Sequence, residues 1–182
     1  MSIRTLAVVP AVVFLLSGCV FFKEPYAVPE IYDTPVPVRK CQVPAGRVKV
    51  RNISGADRRF FYKLKDSRVV HDANCLWISG PDALLKRSIH ETFVCGTPEG
   101  IDINCTVSRF EFNVSGKTAV LVLQVTLESG ERKKIFTLNE SAAYISGSRA
   151  SAAGAMNSCI GNAVEKICLE CRKFSEEKGN KK

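Results

Sequence analysis

Residues 109–138, Arg-Phe-Glu-Phe-Asn-Val-Ser-Gly-Lys-Thr-Ala-Val-Leu-Val-Leu-Gln-Val-Thr-Leu-Glu-Ser-Gly-Glu-Arg-Lys-Lys-Ile-Phe-Thr-Leu, decide the fold. Phe110, Phe112 and Val114 alternate with Arg109, Glu111 and Asn113. Ala119, Leu121, Leu123, Val125 and Leu127 share one phase, and Phe136 and Leu138 another. A period of two is the mark of a half-buried strand. Ser115-Gly116 and Ser129-Gly130 punctuate the run as hairpin turns. Two-residue turns at these dipeptides set Phe112 opposite Ala119 and Phe110 opposite Leu121. The same counting sets Leu123 opposite Phe136 and Leu121 opposite Leu138. Both registers put the apolar side chains on one face, and a one-residue slip would break that agreement.

Upstream, Val48 and Val50 alternate with Lys49 and Arg51, and Ser54-Gly55 ends the run. Arg59 to Leu64, with Phe60, Phe61 and Tyr62, reads as a second strand. Val69 to Ile78 is less regular. Ser79-Gly80-Pro81-Asp82 then opens a helix: Gly80 or Ser79 can cap it, Pro81 suits the first turn, and Asp82 favours the positive end of the dipole. Leu84, Leu85, Ser88, Ile89, Thr92 and Phe93 share its apolar face. Beyond a Ser/Ala/Gly-rich stretch at 141–150, apolar residues from Ala152 to Phe174 recur at helical spacing. These elements predict an α+β fold. An antiparallel sheet, a hairpin plus the three-stranded meander, carries two helices packed on one face.

The N-terminus gives an address. Arg4, an apolar stretch from Leu6 to Leu16 and the run Leu15-Leu16-Ser17-Gly18-Cys19 have the parts of a secretory signal. A cysteine after Leu-Ser-Gly resembles a bacterial lipobox, in which the Cys19 thiol receives a diacylglyceryl group and cleavage leaves Cys19 first. Residues 1–18 are thus expected to be a signal peptide. The lipidated residues 19–45, with five of the chain's eight prolines, read as a Pro-rich tether. The folded domain is expected over 46–174, and 175–182 as a basic disordered tail. Val20 rather than Asp after the cysteine points to the outer membrane, with the domain in the periplasm. The net charge of +8 falls to +7 once Arg4 is removed. A basic surface suits anionic headgroups or an acidic partner protein, and nucleic acid is not expected there.

Seven cysteines remain besides Cys19. An oxidising compartment permits disulfides, and an odd number leaves at least one thiol over. Cys95 and Cys105 bracket a loop holding Gly96, Pro98 and Gly100 and are the first candidate pair. Cys168 and Cys171 have CxxC spacing. They fall late in the last helix, away from the positive helix end that activates a redox cysteine, and read as structural. His71 and His90 have no ligand spacing, so no metal site is expected. The sequons at Asn52, Asn104, Asn113 and Asn139 read as chance matches beside a lipobox. No Gly-x-Ser-x-Gly, phosphate-binding glycine loop or His-Glu-x-x-His occurs. An enzyme is not expected, nor a cofactor other than the lipid on Cys19.

Three places carry a family likeness: the aromatic strand Arg59-Phe60-Phe61-Tyr62, Trp77 followed by Pro81 and the Leu84-Leu85 helix, and the meander ending Ile135-Phe136-Thr137-Leu138 before an Ala-rich helix. Over residues 47–174 the chain resembles the auxiliary lipoproteins of ABC-type transport systems. Among them is the lipoprotein partner of the paraquat-inducible MCE intermembrane transport proteins. The resemblance implies a non-enzymatic protein docking on an MCE or permease complex that moves lipids or other apolar molecules between membranes. Its candidate partner interface is Trp77 with Phe61, Tyr62, Arg58 and Arg59, the other role for Trp77 being a core anchor. A structural or secretion-system lipoprotein of pilotin type is the alternative. Two helices on one small sheet leave little room for an acyl chain, so no stoichiometric bound lipid is expected.

Overall fold

A computed structural model describes residues 28–35 and 40–179. Cys19 and the signal-like segment lie outside them. The described chain runs β1 (Glu30–Tyr32), β2 (Ala45–Asn52), β3 (Arg59–Lys63), β4 (Val69–Trp77), α1 (Pro81–Thr92), β5 (Ile101–Asn113), β6 (Thr118–Ser129), β7 (Arg132–Ala143) and α2 (Arg149–Gly179). The fold is α+β, with two helices and one seven-stranded sheet.

The sheet is mixed and not purely antiparallel. β5, β6 and β7 form the antiparallel meander, and β3 pairs antiparallel with β4. β2 and β3 do not pair with each other. Both run parallel to β5 along the same edge, β2 beside Ile101–Val107 and β3 beside Phe112 and Asn113. β1 adds parallel to β4. The geometry follows from a break in one long chain path. Asn52 Oδ1 accepts from the Ser54 amide and hydroxyl, Gly55 takes φ 78°, and the chain re-enters the sheet at Arg59.

Ser108 explains the length of β5. Val107 faces Leu123 while Arg109 faces Val122, so Ser108 is the extra residue of a β-bulge. The bulge changes the phase of burial. Ile101, Ile103, Cys105 and Val107 point inward at odd positions, and Phe110 and Phe112 at even ones. One inserted residue keeps both halves of a 13-residue strand in the same core.

The first predicted register stands: Phe112 faces Ala119 and Phe110 faces Leu121. The second is shifted by two residues. Leu123 faces Leu138, Val125 faces Phe136 and Leu121 faces Glu140. The turn residues are Gly130 and Glu131, not Ser129 and Gly130. Gly130 has φ 60°, the positive value that a type II′ hairpin needs at its first loop position, where glycine is favoured. A shift of two preserves the face of every side chain, so the apolar pattern alone could not detect it.

α1 starts and stops as its capping signals dictate, from Gly80 as N-cap to Phe93. Its predicted apolar face is buried, and the two polar members are satisfied internally: Ser88 Oγ donates to the Leu84 carbonyl and Thr92 Oγ1 to that of Ser88. α2 packs on β6 and β7, α1 on β2, and the two helices touch. Met156, Cys159, Ile160, Ala163, Val164 and Ile167 supply the helical side of a single core. α2 continues past Phe174 to Gly179, into residues expected to be a tail. Arg132 secures this end: its guanidinium donates to the Phe174 carbonyl (2.8 Å), pairs with Glu177 (3.1 Å) and lies 4.3 Å from the Phe174 ring centroid.

Candidate interaction surface

The expected interface residues do not form one surface. Trp77 is fully buried and stacks on Phe60 with centroids 4.8 Å apart, with Phe110 edge-on at 5.8 Å. Aromatic pairs of this kind add to plain area burial. Trp77 is therefore a core anchor tying β4 to β3 and β5, and it has no face to offer a partner. Tyr62 belongs to the same cluster, 5.2 Å from Phe112 and 6.4 Å from Phe60. Phe61, the next residue back on the pleat, points to the opposite side and meets the His71 ring at 5.0 Å. Arg58 Nε donates to the Trp77 carbonyl, and Arg59 pairs with Asp57. The Arg59 guanidinium beside Asp57 holds that carboxyl below its ordinary range. These arginines fasten the start of β3.

The aromatic cluster instead receives the N-terminal segment. Tyr32 lies 5.2 Å from Phe60, and its carbonyl accepts from the Ile78 amide. Glu30 accepts from the Tyr32 hydroxyl, which raises the Tyr32 pKa to about 12. Arg149 bridges Glu30 (3.4 Å) and Asp72 (3.2 Å), joining β1, β4 and the start of α2. Arg87 of α1 binds the Asp33 carboxylate and the Thr34 hydroxyl, and Asn157 of α2 donates to the Asp33 carbonyl. Asp33 is held below the usual carboxylate range, first by the Arg87 hydrogen bond. Residues 30–34 thus belong to the domain, where a spacer was expected.

Cys41 does too. Its amide donates to the Thr92 carbonyl, and its sulfur is bonded to Cys168 of α2. The expected Cys95–Cys105 bond is not made, and both thiols are free. The loop covers residues 93–100 and ends before Cys105. Cys105 sits well inside β5 and points into the core, whereas Cys95 follows α1 and is half-buried. Burial pushes the Cys105 thiol up to about 12. Cys171 is also pushed to about 12, chiefly by burial and then by neighbouring Cys105 and Glu170. Such thiols are protonated and unreactive at neutral pH. The CxxC pair is therefore divided between a disulfide and the core. Among the described residues no group of three His, Cys, Asp or Glu side chains is placed to hold a metal.

No family model matches the chain, and no curated protein matches it. Solved structures do. An uncharacterized protein shares the fold with a TM-score of 0.64 at 16% identity, over 79% of this chain and 98% of its own. A Xanthomonas campestris protein of family DUF330 does so with a TM-score of 0.63 at 15% identity, over 83% of this chain and all of its own (100%). At these identities the shared property is the fold. A Caulobacter crescentus protein described as a candidate lipoprotein reaches a TM-score of only 0.37, at 15% identity over 53% of this chain and 84% of its own, too low to carry an argument.

Proposed function

We propose that this protein is a lipid-anchored binding partner, attached through Cys19 to the outer membrane and facing the periplasm. Its role is accessory to an ABC- or MCE-type transport system that moves lipids or apolar molecules between membranes. The observation that carries the anchor is Leu15-Leu16-Ser17-Gly18-Cys19 behind Arg4 and a short apolar core. The early start of the folded unit supports it. Cys19 and Glu30 are 11 residues apart, so an extended chain between them spans at most about 40 Å. A domain on so short a leash works beside its membrane. No helix among the described residues is long and apolar enough to cross one.

The binding role rests on the sequence likeness and on the absence from the sequence of recognisable catalytic motifs. Two experiments test the two halves separately. Metabolic labelling with an alkyne fatty acid should mark the wild-type chain and not Cys19→Ser; equal labelling of both would remove the anchor. Crosslinking in cells followed by affinity capture should recover MCE or permease subunits. Recovery of secretin or pilus components instead would replace the transport role with a pilotin-type one.

A further inference from the structure

The outer end of β2 carries a concavity that the proposed role leaves unused. Lys49 and Arg51 stand two residues apart on one side of the strand, beside Asn104 and Thr106 of β5, their register partners. Lys86 of α1 completes the rim of a pocket of about 460 Å³, whose lining contains no carboxylate. Lys49, Arg51 and Lys86 are exposed, and among the described residues none of their side chains makes an ion pair or hydrogen bond, although Lys49 lies within electrostatic reach of Asp102. Their neighbour Arg47 differs: Asp102 holds its guanidinium through two hydrogen bonds of 2.8 and 3.0 Å and its amide through a third of 2.7 Å. Asn104 Nδ2 reaches Glu128 at 3.3 Å, and the Thr106 hydroxyl has no partner among the described residues.

We propose that this pocket binds a phosphate group, either on an anionic phospholipid headgroup or free in solution. Alternate strand residues lie about 7 Å apart, close enough for two cations to hold the oxygens of one phosphate. The Arg51 guanidinium offers a planar fork matched to two of those oxygens, while Lys49 and Lys86 act as point charges. Asn104 and Thr106 add neutral donors at the floor. Asp102 offsets part of the Lys49 charge, and Arg51 and Lys86 are left for an incoming anion to neutralise. Headgroup contact at an open pocket needs no buried acyl chain. Only the lipid form of this site rests on the membrane-side role.

Flotation of the full chain carrying Cys19→Ser with phosphatidylglycerol/phosphatidylcholine vesicles tests the site without the anchor. Removing Lys49 and Arg51 together (K49A/R51A) should weaken binding by roughly tenfold or more, at about 1 kcal/mol for each cation near an anionic surface. Lys65→Ala with Lys117→Ala, equal in charge and outside the pocket, should change it by less than about twofold. Arg51→Lys should fall between, because it keeps charge and loses the fork. Amide NMR shifts at Lys49, Arg51 and Thr106 on adding inorganic phosphate decide the source. Shifts with phosphate alone assign a soluble anion; vesicle binding without them assigns a headgroup. Equal losses in both double variants, or no binding of either probe by the parent chain, would overturn the proposal. The unfolding midpoint of each variant is measured alongside, and the comparison is read among variants that unfold cooperatively.

Discussion

Cys41 and Cys168 are covalently joined across 127 positions, so the segment preceding β2 is bonded to the last two turns of the core-facing part of α2. A bond closing so long a loop removes much of the freedom of the unfolded chain. The chain-entropy model gives about 5 kcal/mol for it, and measured losses on removing native bonds run about 2–5 kcal/mol. Urea unfolding of the oxidised protein should therefore show a midpoint well above that of the Cys41→Ala/Cys168→Ala variant, and reductant should lower the parent towards the variant. Identical midpoints with and without reductant would show that the bond is not formed.

Trp77 should matter for stability and not for partner binding. Trp77→Ala empties the space between Phe60 and Phe110 and should cost about 3–5 kcal/mol. Trp77→Phe keeps an aromatic ring against Phe60, and the indole N–H it removes has no hydrogen-bond partner among the described residues, so it should cost clearly less. Thermal unfolding of both, together with capture of the same crosslinked partners by Trp77→Phe, checks this. Lost capture in a folded Trp77→Phe protein would return the residue to the interface.

Attachment of residues 30–34 should depend on acid. The folded-state pKa of Asp33 is depressed, with the Arg87 hydrogen bond as the leading cause. A depressed carboxylate stabilises above its unfolded value, about 3.9, and that contribution is lost as pH falls through the lower folded value. Hydrogen exchange at the Tyr32 and Thr34 amides should be slow and flat from neutrality down to about pH 5 once corrected for intrinsic rates, then quicken at lower pH. Asp33→Asn should remove most of that step. An unchanged step in Asp33→Asn would overturn the assignment to Asp33.

Ser108 tests the bulge. Deleting it would turn either Ile101–Val107 or Phe110–Phe112 to the wrong face, and the ΔSer108 chain should fail to give a cooperative transition by circular dichroism. Ser108→Gly, which keeps the residue count, should fold. A native-like ΔSer108 protein would mean that β5 can absorb the change in register elsewhere.

Local chemistry made some of this legible in the sequence. Gly80-Pro81-Asp82 places the start of α1, and alternation from Phe110 onward places β5 against β6. The break in phase between Val107 and Phe110 was also there to be found, because inward residues change from odd to even numbers. β4 was not legible: Val69 and Val70 are exposed, so its first half lacks the alternation of a half-buried strand. β1 is only three residues long and depends on Phe60, Arg149 and Asp72, all far away in the chain. Cysteine spacing favours short loops, yet the bond formed joins residues that only the tertiary fold brings together. The basic pocket escaped notice for a similar reason. Lys49 and Arg51 read as the polar side of a strand until β5 and α1 set Asn104, Thr106 and Lys86 around them.

The seat of β1 has a mechanical meaning. Traction from the N-terminus meets three parallel pairings at Glu30, Ile31 and Tyr32 before anything else. If these pairings release together with the Arg87 and Asn157 bonds to Asp33 and Thr34, the covalent link from Cys41 to Cys168 passes the load into α2 and the sheet behind it. With the proposed anchor at Cys19, the tie would lengthen from at most about 40 Å to at most about 80 Å and stop there. The domain would be moored by a line of two lengths, the second fixed by a sulfur–sulfur bond.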